Sequence, residues 1–360
     1  MEIVYDNTPG PEDCTTLILE CSGHNVEPKI AAELWPKILQ HKWVLSEKLG
    51  RDVGFKVACL DFIENVEPLH RDLHDAERIQ LLKELGAQMV DQSVWKTISE
   101  SQPPKQIVNK RIILSLTAIE LARKHAVIPP RTIIFFGPPG TGKTHFVRAI
   151  AGILQWWYVE VSPSDLMADG ESRLGTNLKR LMEKARNLDE VVLFIDEFEE
   201  IAGSRDHASR IDKSITNEFL KQVPLLKREN RKNLLVCATN YIRQLDAALL
   251  RPGRFDCVIP VGGLDDQGRR TIFEHYLANT NRGDVDVDKV VSMIALFTPA
   301  DIEYLFQKVR QVAFETEYAK GEDYRVTTET FLQMIPRVPA TLTDEIIEEF
   351  QQDCAHYTRY

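Results

Sequence analysis

The residues Gly137-Pro138-Pro139-Gly140-Thr141-Gly142-Lys143-Thr144 form the densest chemical signal in the chain. Phosphate is strongly anionic, and binding it needs several donors that converge on one point. Glycines at 137, 140 and 142 let the backbone curl so that successive N–H groups face one centre. A helix from His145 to Leu154 would begin at that centre and add its positive dipole end. Lys143 is then placed to reach the β- and γ-phosphates, and Thr144 to offer a hydroxyl to Mg²⁺. The pattern predicts a nucleoside triphosphate cradle formed by residues 137–145. Downstream, the apolar run Val191–Ile195 ends in Asp196-Glu197. In this setting Asp196 would hold Mg²⁺, directly or through water, and Glu197 would polarise an attacking water.

These side chains need a scaffold that brings them together. Thr132–Phe136, Val191–Ile195 and Leu234–Ala238 are unbroken apolar runs, as expected of strands in a parallel sheet buried on both faces. Ligands in open α/β sheets bind at the carboxyl ends of the strands, where the glycine-rich turn, Asp196-Glu197 and Thr239-Asn240 all fall. Beyond Gly262-Gly263 the pattern becomes helical, over Asp265–Asn279, Val285–Phe297, Ala300–Tyr318 and Thr327–Met334. Thr341–Tyr357 reads as one more, acidic helix, with Ile346, Ile347 and Phe350 available to dock on the core or on a neighbour.

The first hundred residues read as a separate, mainly helical module. Residues 1–16, with Pro9-Gly10-Pro11, are expected to be irregular. Ile30, Leu34, Ile38 and Ala31, Trp35, Leu39 follow helical spacing, and Pro36 predicts a kink or a junction between two short helices. Further apolar segments span Val53–Val66 and Leu73–Val90, and a linker is expected around Ser99–Pro104. His70 and His74, with Asp75, have the i, i+4 spacing of a helical metal pair. No further ligand is evident in the sequence, so an exposed polar helix face is the favoured reading.

The chain has 360 residues and a net charge of −10, which suits about two domains. The acids concentrate at the two ends: residues 1–100 carry −8 and residues 340–360 carry −4. Both ends would repel nucleic acid, which is therefore disfavoured as a partner. No run of about eighteen apolar residues predicts a membrane span. The N-terminus lacks the basic-then-apolar pattern of a signal peptide. The six cysteines show no Cys-x-x-Cys pairing, which points to reduced thiols and a cytoplasmic location.

After Thr239-Asn240 the chain continues through Leu249-Leu250-Arg251-Pro252-Gly253-Arg254-Phe255-Asp256. With the loop at 137–144 and the Ile-Asp-Glu strand end, this order and spacing resembles the AAA family of ring-forming ATPases, over roughly residues 95–337. The resemblance implies a P-loop α/β core with a parallel five-stranded sheet and a C-terminal helical lid, preceded by a small mainly helical domain. The implied boundaries are 1–95 for a partner-selecting module, 96–262 for the ATPase core, 263–338 for the lid and 339–360 for the acidic helix. It implies Mg²⁺-dependent ATP hydrolysis to ADP and phosphate by a hexameric ring that remodels a protein partner. Asn240 is similar to the sensor that orients the lytic water. Arg251 and Arg254 are similar to paired arginine fingers that reach the neighbouring subunit's nucleotide. Ile98, in Trp95–Ser99, stands where the family has its adenine-contacting entry segment.

Two departures from the family pattern matter. Where relatives carry an aromatic and an apolar residue on a pore loop, this chain has Ala168 and Asp169, next to Met167 and before Gly170-Glu171-Ser172. Such a loop lacks a large gripping side chain, which leaves open a nucleotide-gated scaffold or switch with slow turnover and no threading. Thr298-Pro299-Ala300-Asp301 stands where Ser-Gly-Ala-Asp is usual, and Pro299 argues against a close approach of the lid to adenine. Residues 32–68 also resemble the tail of a bacterial kinase-like family of unknown function, which implies a bacterial source but no activity.

Overall fold

The computed structural model describes residues 10–360 except 24, 25, 27, 64–76, 169, 171, 172, 204–209 and 229–231; the side chains of 210–214 and 228 are likewise outside the description. His70, His74 and Asp75 lie outside the described residues. The chain divides into two units, Met1–Lys83 and Glu84–Tyr360.

In the first unit, helices α1 (Pro11–Ser22), α2 (Pro28–Leu49) and α3 (Phe55–Asp61) enclose a small core of Cys14, Ile18, Ala31, Ile38, Cys59 and Phe62. Two expectations are corrected here. Residues 11–16 are helical, because Pro11 sits at the first turn, where its missing N–H costs nothing. Helix α2 also continues through Pro36, which overturns the alternative of a junction between two short helices. Pro36 is exposed, while Ala31 and Ile38 on either side of it are buried in the core. That burial holds the flanking turns together across the lost hydrogen bond.

The second unit is built on a six-stranded sheet in the order β1-β3-β4-β5-β2-β6. The strands are β1 (Gln88–Met89), β2 (Thr132–Phe136), β3 (Trp157–Val161), β4 (Val191–Ile195), β5 (Asn233–Thr239) and β6 (Cys257–Pro260). Five of them run parallel, as expected. The sixth, β1, was not anticipated; its two residues pair antiparallel with β3 at the edge. All residues of β2, β4 and β5 are buried, which explains their unbroken apolar sequences. Helices α4 (Lys143–Leu154), α5 (Leu174–Arg186) and α6 (Arg210–Arg228) connect the strands.

Helices α7 (Asp266–Ala278), α8 (Val287–Met293), α9 (Pro299–Lys320) and α10 (Thr328–Met334) form the lid. Their shared core is centred on the mutually packed rings of Phe273, Phe306 and Phe331. The last helix, α11 (Asp344–Tyr357), returns to the sheet, where Phe350 packs 5.9 Å from Phe136 between ring centroids. Arg243, just beyond β5, forms ion pairs with Glu349 and Asp353 of α11.

Candidate nucleotide site

Strand β2 delivers the chain to Gly137 at the carboxyl edge of the sheet. A Cβ at Gly137 would lie 2.1 Å from the carbonyl oxygen of Val261, so only glycine lets the loop run this close to the end of β6. Val261 N–H donates to Phe136 O at 2.8 Å and Gly137 N–H to Thr239 O at 3.3 Å, which ties the loop to both neighbouring strands. Inside the loop, Thr141 Oγ1 donates to Pro138 O at 2.9 Å. Gly142, at φ 91°, opens α4 without a side-chain cap, so the first N–H groups of that helix are left for a ligand. Lys143 folds back, its Nζ donating to Gly137 O at 2.8 Å and Pro138 O at 2.9 Å. Burial pushes the Lys143 ammonium down from its ordinary 10.5 to about 8, against the opposing pull of Asp196 and Glu199.

Strand β4 ends opposite this loop. Thr144 Oγ1 donates to Asp196 Oδ2 at 2.8 Å, and Glu197 N–H donates to Asp196 Oδ1 at 2.9 Å. Glu197 adopts φ 48° and ψ 45°, a left-handed conformation costing a non-glycine residue about 1–3 kcal/mol. The surroundings enforce it: β4 is buried before it, and after it Phe198 is wedged against Phe219 and Phe255. The exposed Glu197 carboxyl is pushed upward, first by the charge of Glu200, then by burial, Asp196 and Glu199. Asn240 N–H donates to Glu199 Oε1 at 3.0 Å, while Glu199 Oε2 is buried with no hydrogen-bond partner. Glu199 was not singled out in the sequence; its place two residues after Glu197 was the available signal.

Ile98, Pro139, Gly140, Thr141, Gly142, Lys143, Thr144, His145, Asp196, Glu197 and Asn240 all line one cavity of about 480 Å³. Gly137 and Pro138 are not in its wall and instead receive the Lys143 ammonium. On the entry side, His145 Nε2 hydrogen-bonds Thr97 Oγ1 at 2.7 Å. The Ile98 segment is pinned by Lys105, whose Nζ donates to Trp95 O at 3.0 Å and Ile98 O at 2.6 Å. Lys105 is 1% exposed and went unnoticed in the sequence, where a lone lysine in a helix carries no signal. The expected linker at Ser99–Pro104 is corrected: Ser99, Gln102 and Pro104 are buried, and Ser99 and Gln102 form part of the cavity wall.

The lid supplies the remaining wall. Thr298 and Asp301 form a reciprocal cap on α9, and Pro299 takes the first helical position. Ala300 N–H donates to Gly140 O at 3.4 Å. Proline suits the first turn of a helix, where no acceptor awaits its N–H, so Pro299 does not keep the start of α9 from the phosphate loop. Arg251 and Arg254 lie away from the cavity. Arg251 is exposed, and Arg254 Nη1 donates to Leu220 O at 2.6 Å in α6. Ala168 is exposed at the end of the helix Pro163–Met167; Asp169, Glu171 and Ser172 fall outside the described residues.

The donor set fits ATP with Mg²⁺. The cavity has the size of a small-molecule site, with backbone donors and Lys143 at one end and hydroxyl and carboxylate oxygens at the other. Mg²⁺ commonly takes one or two protein oxygens and completes its shell with phosphate and water. Thr144 and Asp196 supply such a pair. Among the described residues there is no group of three or more His, Cys, Asp or Glu that could hold a metal. No helix among them is long and apolar enough to cross a membrane.

Comparison with known proteins agrees with this geometry. The family model described as ATPase family associated with various cellular activities (AAA) matches residues 133–262. The probable 26S proteasome regulatory subunit 10B of Caenorhabditis elegans is 30% identical over 318 residues, covering 82% of this chain and 77% of that protein. The cell division cycle protein 48 homolog of Archaeoglobus fulgidus is 27% identical over 286 residues, covering 74% of this chain but only 39% of the relative. A proteasome-activating nucleotidase of Methanoculleus marisnigri is 28% identical over 247 residues, covering 66% of this chain and 60% of the relative. The chain thus spans less than two thirds of the length of the last two relatives. These relatives are archaeal and eukaryotic and give no support to the bacterial source expected from residues 32–68. In structure, the chain is similar to the FIGL-1 AAA domain, with a TM-score of 0.67 at 19% identity, over 78% of this chain and 95% of that one. The same domain in complex with ADP gives 0.65 at 20% identity, over 76% and 93%. The chain belongs to the AAA family of ATPases.

Proposed function

We propose that this chain hydrolyses ATP to ADP and phosphate with Mg²⁺, assembled as a hexameric ring, and applies the energy to a protein partner. The observation that carries the reading is the convergence of Lys143, the Thr144–Asp196 pair, Glu197 and Asn240 on one cavity. The loop N–H groups and Lys143 bind and orient the phosphates. Mg²⁺, held through Thr144 and Asp196, would neutralise phosphate charge. Glu197 takes a proton from the attacking water. Asn240 orients the water and reads the terminal phosphate. Arg251 and Arg254 stabilise the developing charge in the neighbouring subunit.

In this reading the partner-selecting module, expected over residues 1–95, rests on the first unit, Met1–Lys83, because β1 joins the core sheet; 96–262 form the rest of the ATPase core, 263–338 the lid and 339–360 the closing segment. The names of two relatives, a proteasome-activating nucleotidase and a probable proteasome regulatory subunit, favour a protein as the partner. A cytoplasmic location accords with six free cysteines. A second reading keeps ATP binding but makes the ring a slow switch that does not thread polypeptide. The exposed Ala168 favours it, because it offers little surface with which to grip a chain.

The deciding experiment pairs two variants. Lys143→Ala should abolish ATP binding in calorimetric titration. Glu197→Gln should bind ATP normally and lose about two to four orders of magnitude in phosphate release. Normal turnover by Glu197→Gln would refute the enzyme reading. Slow turnover by the unmodified ring, with no ATP-dependent unfolding of a tagged protein, would select the switch.

A further inference from the structure

We propose that Arg359 is a positioning residue for the loop that carries Arg251 and Arg254. The inference rests on the reading of those two arginines as fingers acting on a neighbouring subunit. Arg359 Nη1 donates to Leu250 O at 2.6 Å, and Nη2 donates to Phe255 O at 2.7 Å. Leu250 is the residue before Arg251, and Phe255 is the residue after Arg254. One guanidinium therefore bridges both ends of the loop.

Arg359 is itself fixed by its backbone. Val258 N–H donates to Arg359 O at 2.7 Å, and Arg359 N–H donates to Val258 O at 3.0 Å, an antiparallel bridge onto β6. The planar fork of arginine has several donors in fixed directions, so it can hold two carbonyls at a set separation, as a lysine ammonium on a flexible stem cannot. Hydrogen bonds from a charged donor are also stronger than neutral ones.

The loop needs this support. Arg251, Pro252 and Gly253 are exposed, and a Cβ at Gly253 would meet nothing within 4 Å. On the far flank, Thr132 Oγ1 and Lys227 Nζ donate to Arg254 O at 3.1 and 3.4 Å. On the near flank, Leu250 O is held by Arg359. The near flank is otherwise anchored at buried Leu249, whose N–H donates to Asp246 O at 2.9 Å; without the fork Leu250 O loses its partner directly before Arg251, the more exposed of the two fingers. A misplacement of about 1 Å in a charge-stabilising group costs roughly 100-fold in rate.

The test uses the full chain. Arg359→Ala should bind a fluorescent ADP analogue with unchanged affinity and release phosphate about 10- to 100-fold more slowly. Arg359→Lys, which keeps the charge but not the fork, should show the same split at smaller size. It also keeps the test alive if the alanine variant does not fold. Mixed with Lys143→Ala subunits, in rings verified by native mass spectrometry, Arg359→Ala should recover activity, because its intact P-loop then faces an intact finger loop. Arg254→Ala mixed with Lys143→Ala is the control. No recovery in the control would overturn the shared-site reading itself. Recovery in the control, with a normal rate in both Arg359 variants, would overturn the role of Arg359 alone. A slow Arg359 variant that no partner rescues, or one with weakened nucleotide binding, would make the residue merely structural and would equally overturn the proposal.

Discussion

Replacing Gly137 by alanine tests the cradle most directly. The new Cβ would lie 2.1 Å from Val261 O and 2.9 Å from Val261 C, both backbone atoms that no side-chain rotation can move. Reaching ordinary contact distance requires the loop and the end of β6 to separate by roughly 1.5 Å. That movement strains the Val261 N–H to Phe136 O bond at 2.8 Å and the Gly137 N–H to Thr239 O bond at 3.3 Å. It also shifts the carbonyl at Gly137 that receives Lys143. A displacement of this size at a phosphate cradle should cost about 100-fold in ATP affinity. The matched control is Gly321→Ala, at φ 71° on the far end of α9, where a Cβ meets nothing within 4 Å. Its cost is backbone strain alone, about 1–2 kcal/mol, or a few degrees in Tm at about 2–4 °C per kcal/mol. Titration with a fluorescent ATP analogue and thermal melts separate the two variants: both should melt earlier, and only Gly137→Ala should lose nucleotide. Affinity within threefold of the parent in Gly137→Ala would refute the close passage of the loop beside β6.

Three further outcomes follow from the geometry. Lys105→Met removes both bonds to Trp95 O and Ile98 O; it should cost about 1–3 kcal/mol of stability and weaken nucleotide binding, and a variant with unchanged melting and binding would show that the Ile98 segment holds itself. Thr144→Ala should leave nucleotide affinity in EDTA unaltered and raise the Mg²⁺ concentration needed for turnover, as a magnesium titration of phosphate release would report; an unshifted titration would remove Thr144 from the metal site. Burial drives the Cys257 thiol up to about 11 and holds that of Cys237 well above its ordinary value, so at pH 8 neither forms appreciable thiolate, the reactive form. Alkylation followed by mass spectrometry should leave both unmodified until the chain unfolds, whereas native labelling of Cys257 would contradict the packing of β6.

What could be read from the sequence was chemistry tied to short spacing. Residues 137–144, Asp196-Glu197 and Asn240 each sit at the end of an apolar run, and a parallel sheet obliges such ends to meet on one edge. The lid helices were legible by period. Other features were hidden because they depend on long-range contacts that no local pattern encodes. Strand β1 has two residues, too few for a period, and exists because β3 offers an edge. Pro36 looked like a break because local propensity was read without the core that holds its flanks. Ser99–Pro104 looked like a linker from composition alone, yet its polar side chains are satisfied by partners far along the chain. Gln102 Nε2 and Ser101 Oγ both donate to Asp265 Oδ1, at 3.1 Å each.

The segment after the lid shows how far such contacts reach. Thr341 donates its N–H and Oγ1 to Asp301, at 3.0 and 2.6 Å. Asp301 also accepts from Thr298 N–H in the cap of α9, whose first turn touches Gly140 through Ala300 N–H. Nine residues beyond Thr341, Phe350 lies against Gly137 and Gly262, and Arg359 then closes on the ends of the arginine loop. A single stretch of about twenty residues thus contacts the lid cap, the first glycine of the cradle and the arginine loop in turn. Its sequence suggested an acidic helix whose Phe350 could dock on the core, as it does. Thr341 and Arg359 carried no such signal: each is an ordinary residue whose meaning comes from what it meets.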